Sequence, residues 1–229
     1  MMQQSRYNIF NLIHKALRSL LYETATLIQQ TDFNNRDEAI VVINRLEKVL
    51  YYFDKHAEHE DNFILPAIER YAKDLVDAFE NEHVVDHALA QSLRMAIDSW
   101  KQTEDAVEMI ELGRSIFYDF NAFIAFNLTH MNKEEDLLNA VLWKYYTDLE
   151  LMQITQALIS TIPPEDLFDQ SRRMMISINK EELITWLTGI KLKAPQEIFT
   201  LHMKMAEDVL PEKRWQELNA GLRHGLVQA

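Results

Sequence analysis

The 229-residue chain contains no cysteine. That excludes disulfides, thiolate nucleophiles, and zinc or iron–sulfur sites held by cysteine. Glycine and proline are scarce, at four and five, and long stretches hold neither, which disfavours a strand-and-turn architecture. Positive charge is in deficit: 23 Lys and Arg face 36 Asp and Glu, a formal net charge of −13. Phosphate binding needs a clustered basic face, so nucleic acid is not an expected partner, and the acidity reads as solubility. No apolar run approaches the ~18 residues of a membrane span, so no membrane association is expected. The opening stretch MMQQSRYNIFNLIHK is interrupted by Asn8, Asn11, His14 and Lys15. It therefore lacks a signal-peptide core, and a cytoplasmic location is the default expectation.

What the chain does have is helical periodicity. With 48% apolar residues it can bury a sizeable core, as one large or two small domains. Apolar positions recur at intervals of three and four, as in Phe10, Ile13, Leu17, Leu20 and Leu21, and predict an all-α chain. Four long helices are expected. They run from Ser5 to Gln30, from Arg36 to the late sixties with a kink or end at Pro66, from Ala72 to Trp100, and from a Thr103 cap toward Tyr145. Short connections make these an up-down-up-down four-helix bundle over residues 1–147. Residues 148–229 form a C-terminal helical extension of unknown role. Pro163 and Pro164 suit a helix entry there, and short helices are expected near 180–190, 195–210 and 211–222. A stripe of Trp186, Ile190, Phe199, Met203 and Trp215 reads as packing surface. No internal repeat is visible.

The chemistry lies in seven polar residues. His14 stands alone, while His56 with Glu60, His83 with His87 and His130 with Glu134 are each four apart, so each pair leaves one helix face. One such pair is ordinary helix surface. In an alternating bundle, however, all four positions fall roughly 10–15 residues from the same end, or about 15 Å along a helix at its usual rise. Their neighbours one turn away are apolar or aromatic, including Phe10, Leu17, Tyr52, Phe53 and Phe79. Buried imidazoles and carboxylates without partners are costly, and a metal supplies the partner. Seven ligands exceed what one tetrahedral zinc uses. They suit two ions bridged by Glu60 and Glu134, with five histidines completing the coordination and room for a small exogenous ligand.

Other residues receive plainer readings. His59, off the His56 face, is expected at the surface or as an accessory ligand, and His202 and His224 at the surface. Tyr22 and Tyr52 are expected in the core, and the methionines as core filler. Glu58, Glu82 and Asp86 are either acceptors for ligand N–H groups or charged helix surface.

Residues 5–145 resemble the hemerythrin-like HHE cation-binding family, on His14, His56-Ala-Glu-His-Glu60, Glu82-His83-x-x-x-His87 and His130-x-x-x-Glu134. The stretch HAEHEDNFILP, residues 56–66, resembles that family's His…Glu…Pro segment. The resemblance implies a four-helix bundle holding two iron ions, oxo- or hydroxo-bridged, on five histidines and two carboxylates, with zinc or manganese as alternative metals. Oxygen-carrying hemerythrins place an Asp five residues after the last helix's histidine. Here that position is Glu135, and Glu134 is favoured as the bridge. Asn127, one turn before His130, replaces an apolar pocket residue; a polar group there hydrogen-bonds a bound gas or admits water.

The leading expectation for function is a non-enzymatic di-iron protein that binds O₂ or NO for sensing, storage or stress response. The alternatives are an iron-dependent stress enzyme or iron-transfer and repair factor of the same fold, and a structural metal site in a helical protein that binds a partner. Repair proteins of this fold carry a cysteine-bearing N-terminal segment that these residues do not contain.

Overall fold

The structure is a computed structural model and describes residues 6–224. It is all-helical, with no strand among the described residues. The bundle helices are α1 (Asn11–Gln30), α2 (Arg36–His59), the short α3 (Leu65–Ile68), α4 (Lys73–Gln102), α5 (Ala106–Lys133) and α6 (Asn139–Tyr145). Two π-helical turns, Glu60–Ile64 and Glu134–Leu138, join α2 to α3 and α5 to α6. After them come α7 (Asp148–Ile159), α8 (Pro164–Ser177), α9 (Lys180–Lys193), α10 (Gln196–Val209) and α11 (Glu212–His224).

Local chemistry sets the helix ends. The Asn35 side chain accepts the Glu38 N–H to start α2, and Asp105 accepts the Glu108 N–H at 2.9 Å to start α5. Asp105 thus takes the capping role expected of Thr103. Thr103 instead ends α4 in extended backbone, with its hydroxyl on Glu108. Helix α1 begins at Asn11, later than expected, because Asn8 Oδ1 accepts the Phe10 N–H at 2.9 Å and turns the chain before the helix. Ser5 lies outside the described residues, as does the side chain of His224. Thr147 and Asn179 form reciprocal capping boxes with Glu150 and Glu182 at the starts of α7 and α9.

The core follows a seam on each long helix. On α4 the buried positions are Val76, Phe79, His83, Asp86, Ala90, Leu93, Ile97 and Trp100, alternating steps of three and four as an inward stripe requires. Tyr52 is buried as expected, but Tyr22 is 52% exposed. The α1 seam passes through Leu20, Leu21, Thr24 and Ile28, and position 22 falls outside it.

The chain divides into two compact units. The first comprises Leu20–Ser160 with the described residues up to Phe10. At one end it is closed by Phe10, Ile64, Leu65, Ile68, Val76, Phe79, Leu138, Leu142 and Leu151. Arg6 adds hydrogen bonds to the carbonyls of Trp143 and Tyr146 and to Asp148. The second comprises Asn11–Ser19 with the described residues from Thr161 on. Its core includes Met175, Leu187, Met205, Ala206 and Leu218, and the Trp186, Ile190, Phe199, Met203 and Trp215 stripe packs against it as expected. Within it, the Arg214 guanidinium takes the carbonyls of Met175, Ile176 and Ile178 at the end of α8. Glu182 accepts hydrogen bonds from Asn11 and Lys15.

Gly113 of α5 is required by close approach. A Cβ there would penetrate the Phe33 side chain, which packs edge-on to Trp100 at 6.2 Å and accepts the indole N–H at its carbonyl. Gly113→Ala should therefore destabilise the protein by about 1–3 kcal/mol, the usual cost of overpacking. Gly189→Ala in α9 meets nothing within 4 Å and should gain up to about 1 kcal/mol from helix propensity. Urea denaturation of both variants reads the two opposite signs.

Candidate metal centre

Both histidine–glutamate pairs run into a π-turn. From α2 through its π-turn into α3 the inward positions are His56, Glu60, Ile64 and Ile68; from α5 through its π-turn into α6 they are His130, Glu134, Leu138 and Leu142. Each is a run of four-residue steps. In a regular α-helix four residues overshoot a full turn by about 40°, so three steps would carry the last residue well off the core. The wider π-turn absorbs that drift. Its geometry is visible in the Leu65 N–H, which reaches back to the Glu60 carbonyl. Pro66, at the start of α3, has no N–H to contribute and is accommodated where α-pairing is already broken. Such turns are frequent at functional sites, and each of these begins at a buried carboxylate.

The side chains meet in two overlapping groups. His14, His56, Glu60 and Glu134 each bring one donor atom within 4.8 Å of the others, and so do Glu60, His83, His130 and Glu134. Glu60 and Glu134 belong to both. His14, Glu60, His83, His130 and Glu134 are at most 4% exposed. His56 Nε2 lies 3.2 Å from Glu60 Oε1, and His130 Nε2 lies 3.0 Å from Glu134 Oε1. Glu134 therefore occupies the shared place, while Glu135 does not enter either group.

Electrostatics favour a cation here. Burial, and next the neighbouring Glu134 charge, push the Glu60 carboxyl well above its usual range. Burial alone would lower the His130 imidazole, but its contacts with Glu134 and Glu82 outweigh that and raise it to about 9. His83 Nε2 is buried 3.6 Å from Glu60 Oε2 with no hydrogen-bond partner among the described residues. A divalent ion would satisfy that lone pair and screen the two carboxylates from each other, so the residues fit a metal.

The other ring nitrogens are held from outside the groups. His83 Nδ1 lies 2.7 Å from Asp61 Oδ1, and His130 Nδ1 lies 2.8 Å from Glu82 Oε2. Glu82 also accepts from Lys133 at 2.6 Å. Phe79 and Phe126 pack on the His130 ring, with centroids 5.5 and 5.7 Å away.

His87 is not brought into either group. Its side chain is 54% exposed, with Nδ1 3.8 Å from Asp54 Oδ1, in an open groove of about 610 Å³ lined also by Glu58, Asp61, Asn62 and Arg94. The seam explains this: after His83 the next inward step on α4 is three residues, to Asp86. Asp86 is buried and raised in pKa, mainly by desolvation. It accepts the Asn127 amide at 2.6 Å, and Asn127 also donates to the Phe123 carbonyl at 3.1 Å. With both amide hydrogens so engaged, Asn127 has none left for a bound gas, which revises the expectation for that residue.

Of the three carboxylates considered as acceptors for ligand N–H groups, only Glu82 touches a ligand candidate. Glu58 instead pairs with Lys55 at the surface, and Asp61 was not anticipated. Its position next to Glu60 in the π-turn was the available signal. His59 is half-buried with a lowered pKa, first from desolvation, and His202 is half-buried against Trp186 with its Nδ1 on the Ile198 carbonyl. Both are less exposed than expected.

Over 153 residues the chain is 20% identical to the F-box/LRR-repeat protein 5 of Mus musculus and to that of Bos taurus, covering 67% of this chain and 21% of each relative. The Xenopus laevis counterpart is 18% identical over the same share of this chain and 22% of its own length. The chain thus spans about a fifth of the curated relatives it matches. Residues 5–142, more than half of the chain, match the hemerythrin HHE cation-binding domain, and the chain belongs to that family.

Proposed function

We propose that this protein binds two iron ions in the bundle and uses them to hold a small gas, O₂ or NO, for sensing, storage or stress response. The supporting observation is that Glu60 and Glu134 are shared by two otherwise separate ligand groups. One ion would take His14 and His56, the other His83 and His130, with both carboxylates between them. This is the ligand style of dinuclear carboxylate sites in helical bundles. Zinc or manganese could take the same donors, since geometry and availability decide among such metals. Iron supplies the redox chemistry that gas binding uses.

The protein's own part is positioning and exclusion. Burial of the donors keeps bulk water from the site, and Phe79 and Phe126 wall one imidazole. His87 belongs to the ligand set implied by the family resemblance. With that ring outside, the site presents four imidazoles and two carboxylates, leaving coordination positions for an exogenous ligand.

Anaerobic reconstitution with Fe²⁺ should load about two ions per chain, as a dinuclear bundle site requires. Exposure to O₂ or NO should give a new visible absorption band that reverses when the gas is removed. Turnover of peroxide with bleaching would instead indicate an enzyme, and no spectral change a structural ion. A stoichiometry of one, with Glu60→Ala and Glu134→Ala both harmless, would overturn the shared-carboxylate arrangement.

Among variants, Glu134→Gln should weaken metal binding more than Glu135→Gln, and His83→Ala more than His87→Ala. Isothermal titration with a divalent metal ranks each pair. An equal or reversed order would reassign the ligands.

The pH dependence of stability should differ between the metal-free and loaded forms. His130 has a folded pKa near 9, above the ~6.5 of an unfolded histidine. Its contribution is complete below the unfolded value and is lost as pH rises through the folded one. Glu60, also raised, adds a penalty of the same sign once the unfolded carboxyl ionises. Metal-free protein should therefore melt lower at pH 9 than at pH 6. Metal needs deprotonated ligands, so its stabilising effect should grow over that interval. Thermal melts of the two forms across the range check this, and parallel curves would contradict it.

A further inference from the structure

The outer contacts of His83 and His130 form a chain with a regular logic. Asp61 follows the ligand candidate Glu60 on the π-turn and holds His83 on α4. Glu82 precedes His83 on α4 and holds His130 on α5. Each carboxylate is thus fixed by the backbone of one ligand-bearing segment and grips the ring of the next. In both rings the grip is on Nδ1, while Nε2 faces the buried carboxylate that the ion would share, Glu60 at 3.6 Å and Glu134 at 3.0 Å.

We propose that Asp61 and Glu82 are positioning residues that fix the tautomer and the electron-donor strength of His83 and His130, with Lys133 moderating Glu82. This rests on the two-ion reading above. The chemistry is general. A carboxylate accepting from one ring nitrogen places the proton there, leaves the lone pair on the other and makes that nitrogen a stronger donor. Lys133 Nζ bonds Glu82 Oε1 at 2.6 Å while Oε2 faces His130 at 2.8 Å. The ammonium therefore draws charge away from the oxygen pair that grips the imidazole. Stronger donation stabilises the higher oxidation state of a bound metal, so the three residues act on redox poise as well as on affinity. Asp61 is 43% exposed and lines the open groove that also holds His87, so on the His83 side this control reaches solvent.

The test uses the full chain loaded with zinc and, separately, with iron. In the zinc protein, ¹⁵N shifts of the ring nitrogens should report a single Nδ1-protonated tautomer for His83 and His130. Asp61→Ala and Glu82→Ala should mix the tautomers of His83 and His130 respectively, and each should lower affinity for one zinc ion by about 10–100-fold. Asp61→Asn and Glu82→Gln, which keep an acceptor but lose the charge, should raise the midpoint potential of the iron protein. Lys133→Gln should lower it, an opposite displacement that damage to the fold would not produce. Unchanged tautomers with affinities within twofold of the parent, or potentials moving the same way in all three charge variants, would overturn the proposal. Failure of the parent protein to take two zinc ions would instead count against the two-ion reading itself.

Discussion

Two carboxylates placed against each other in a dry interior are the constraint around which the rest is arranged. Glu60 and Glu134 are both buried, and burial and then the Glu134 charge raise the cost of ionising Glu60. Such a pair needs compensation by positive charge. His14 and His56 bring donor atoms within 4.8 Å of the pair in one group, and His83 and His130 do so in the other. Without a metal, the raised His130 imidazole supplies part of that charge; a bound cation would supply the rest. The helices, the π-turns and the outer hydrogen bonds all serve to keep this group assembled.

The arrangement has an approximate two-fold character that the amino-acid sequence does not show as a repeat. His56 at the end of α2 with Glu60 on the first π-turn matches His130 at the end of α5 with Glu134 on the second. Both segments carry histidine, glutamate and then an apolar residue at successive four-residue steps, through a π-turn. Ile64 and Leu138, the apolar residues that follow the two carboxylates, belong to one buried cluster. Packing at the end of the bundle is therefore coupled to the position of the carboxylates one turn earlier.

How much of this could be read beforehand depended on period. The four bundle helices and the C-terminal helices followed from apolar spacing, with errors at caps where a side chain such as Asn8 or Asp105 decided the end. The convergence of His14, His56, Glu60, His83, His130 and Glu134 followed from depth along alternating helices. His87 was misplaced because a four-residue spacing was taken as one face, whereas the seam of α4 at that level steps by three to Asp86. The same rule, applied strictly, would have flagged the runs of four on α2 and α5 as incompatible with a straight α-helix. Asp61 and the engaged amide of Asn127 depend on cross-helix contacts, which no single helix period encodes.

The two π-turns are not equally fixed. In the first, Pro66 has no N–H, so the wide turn cannot migrate toward the C-terminus by passing its hydrogen bond to the next residue. In the second, the residue corresponding to Pro66 is Ala140, which keeps its N–H, and the N–H of Asn139, the counterpart of Leu65, is already divided between the carbonyls of Asp136 and Glu134. That turn has a neighbouring register within reach. Sliding it by one residue would rotate its segment by about 100° and exchange the inward carboxylate for an adjacent side chain. The first turn is thus barred from that shift by covalent chemistry, whereas the second is held in register by packing and by side-chain contacts such as the Asn139 amide on the Glu135 carbonyl.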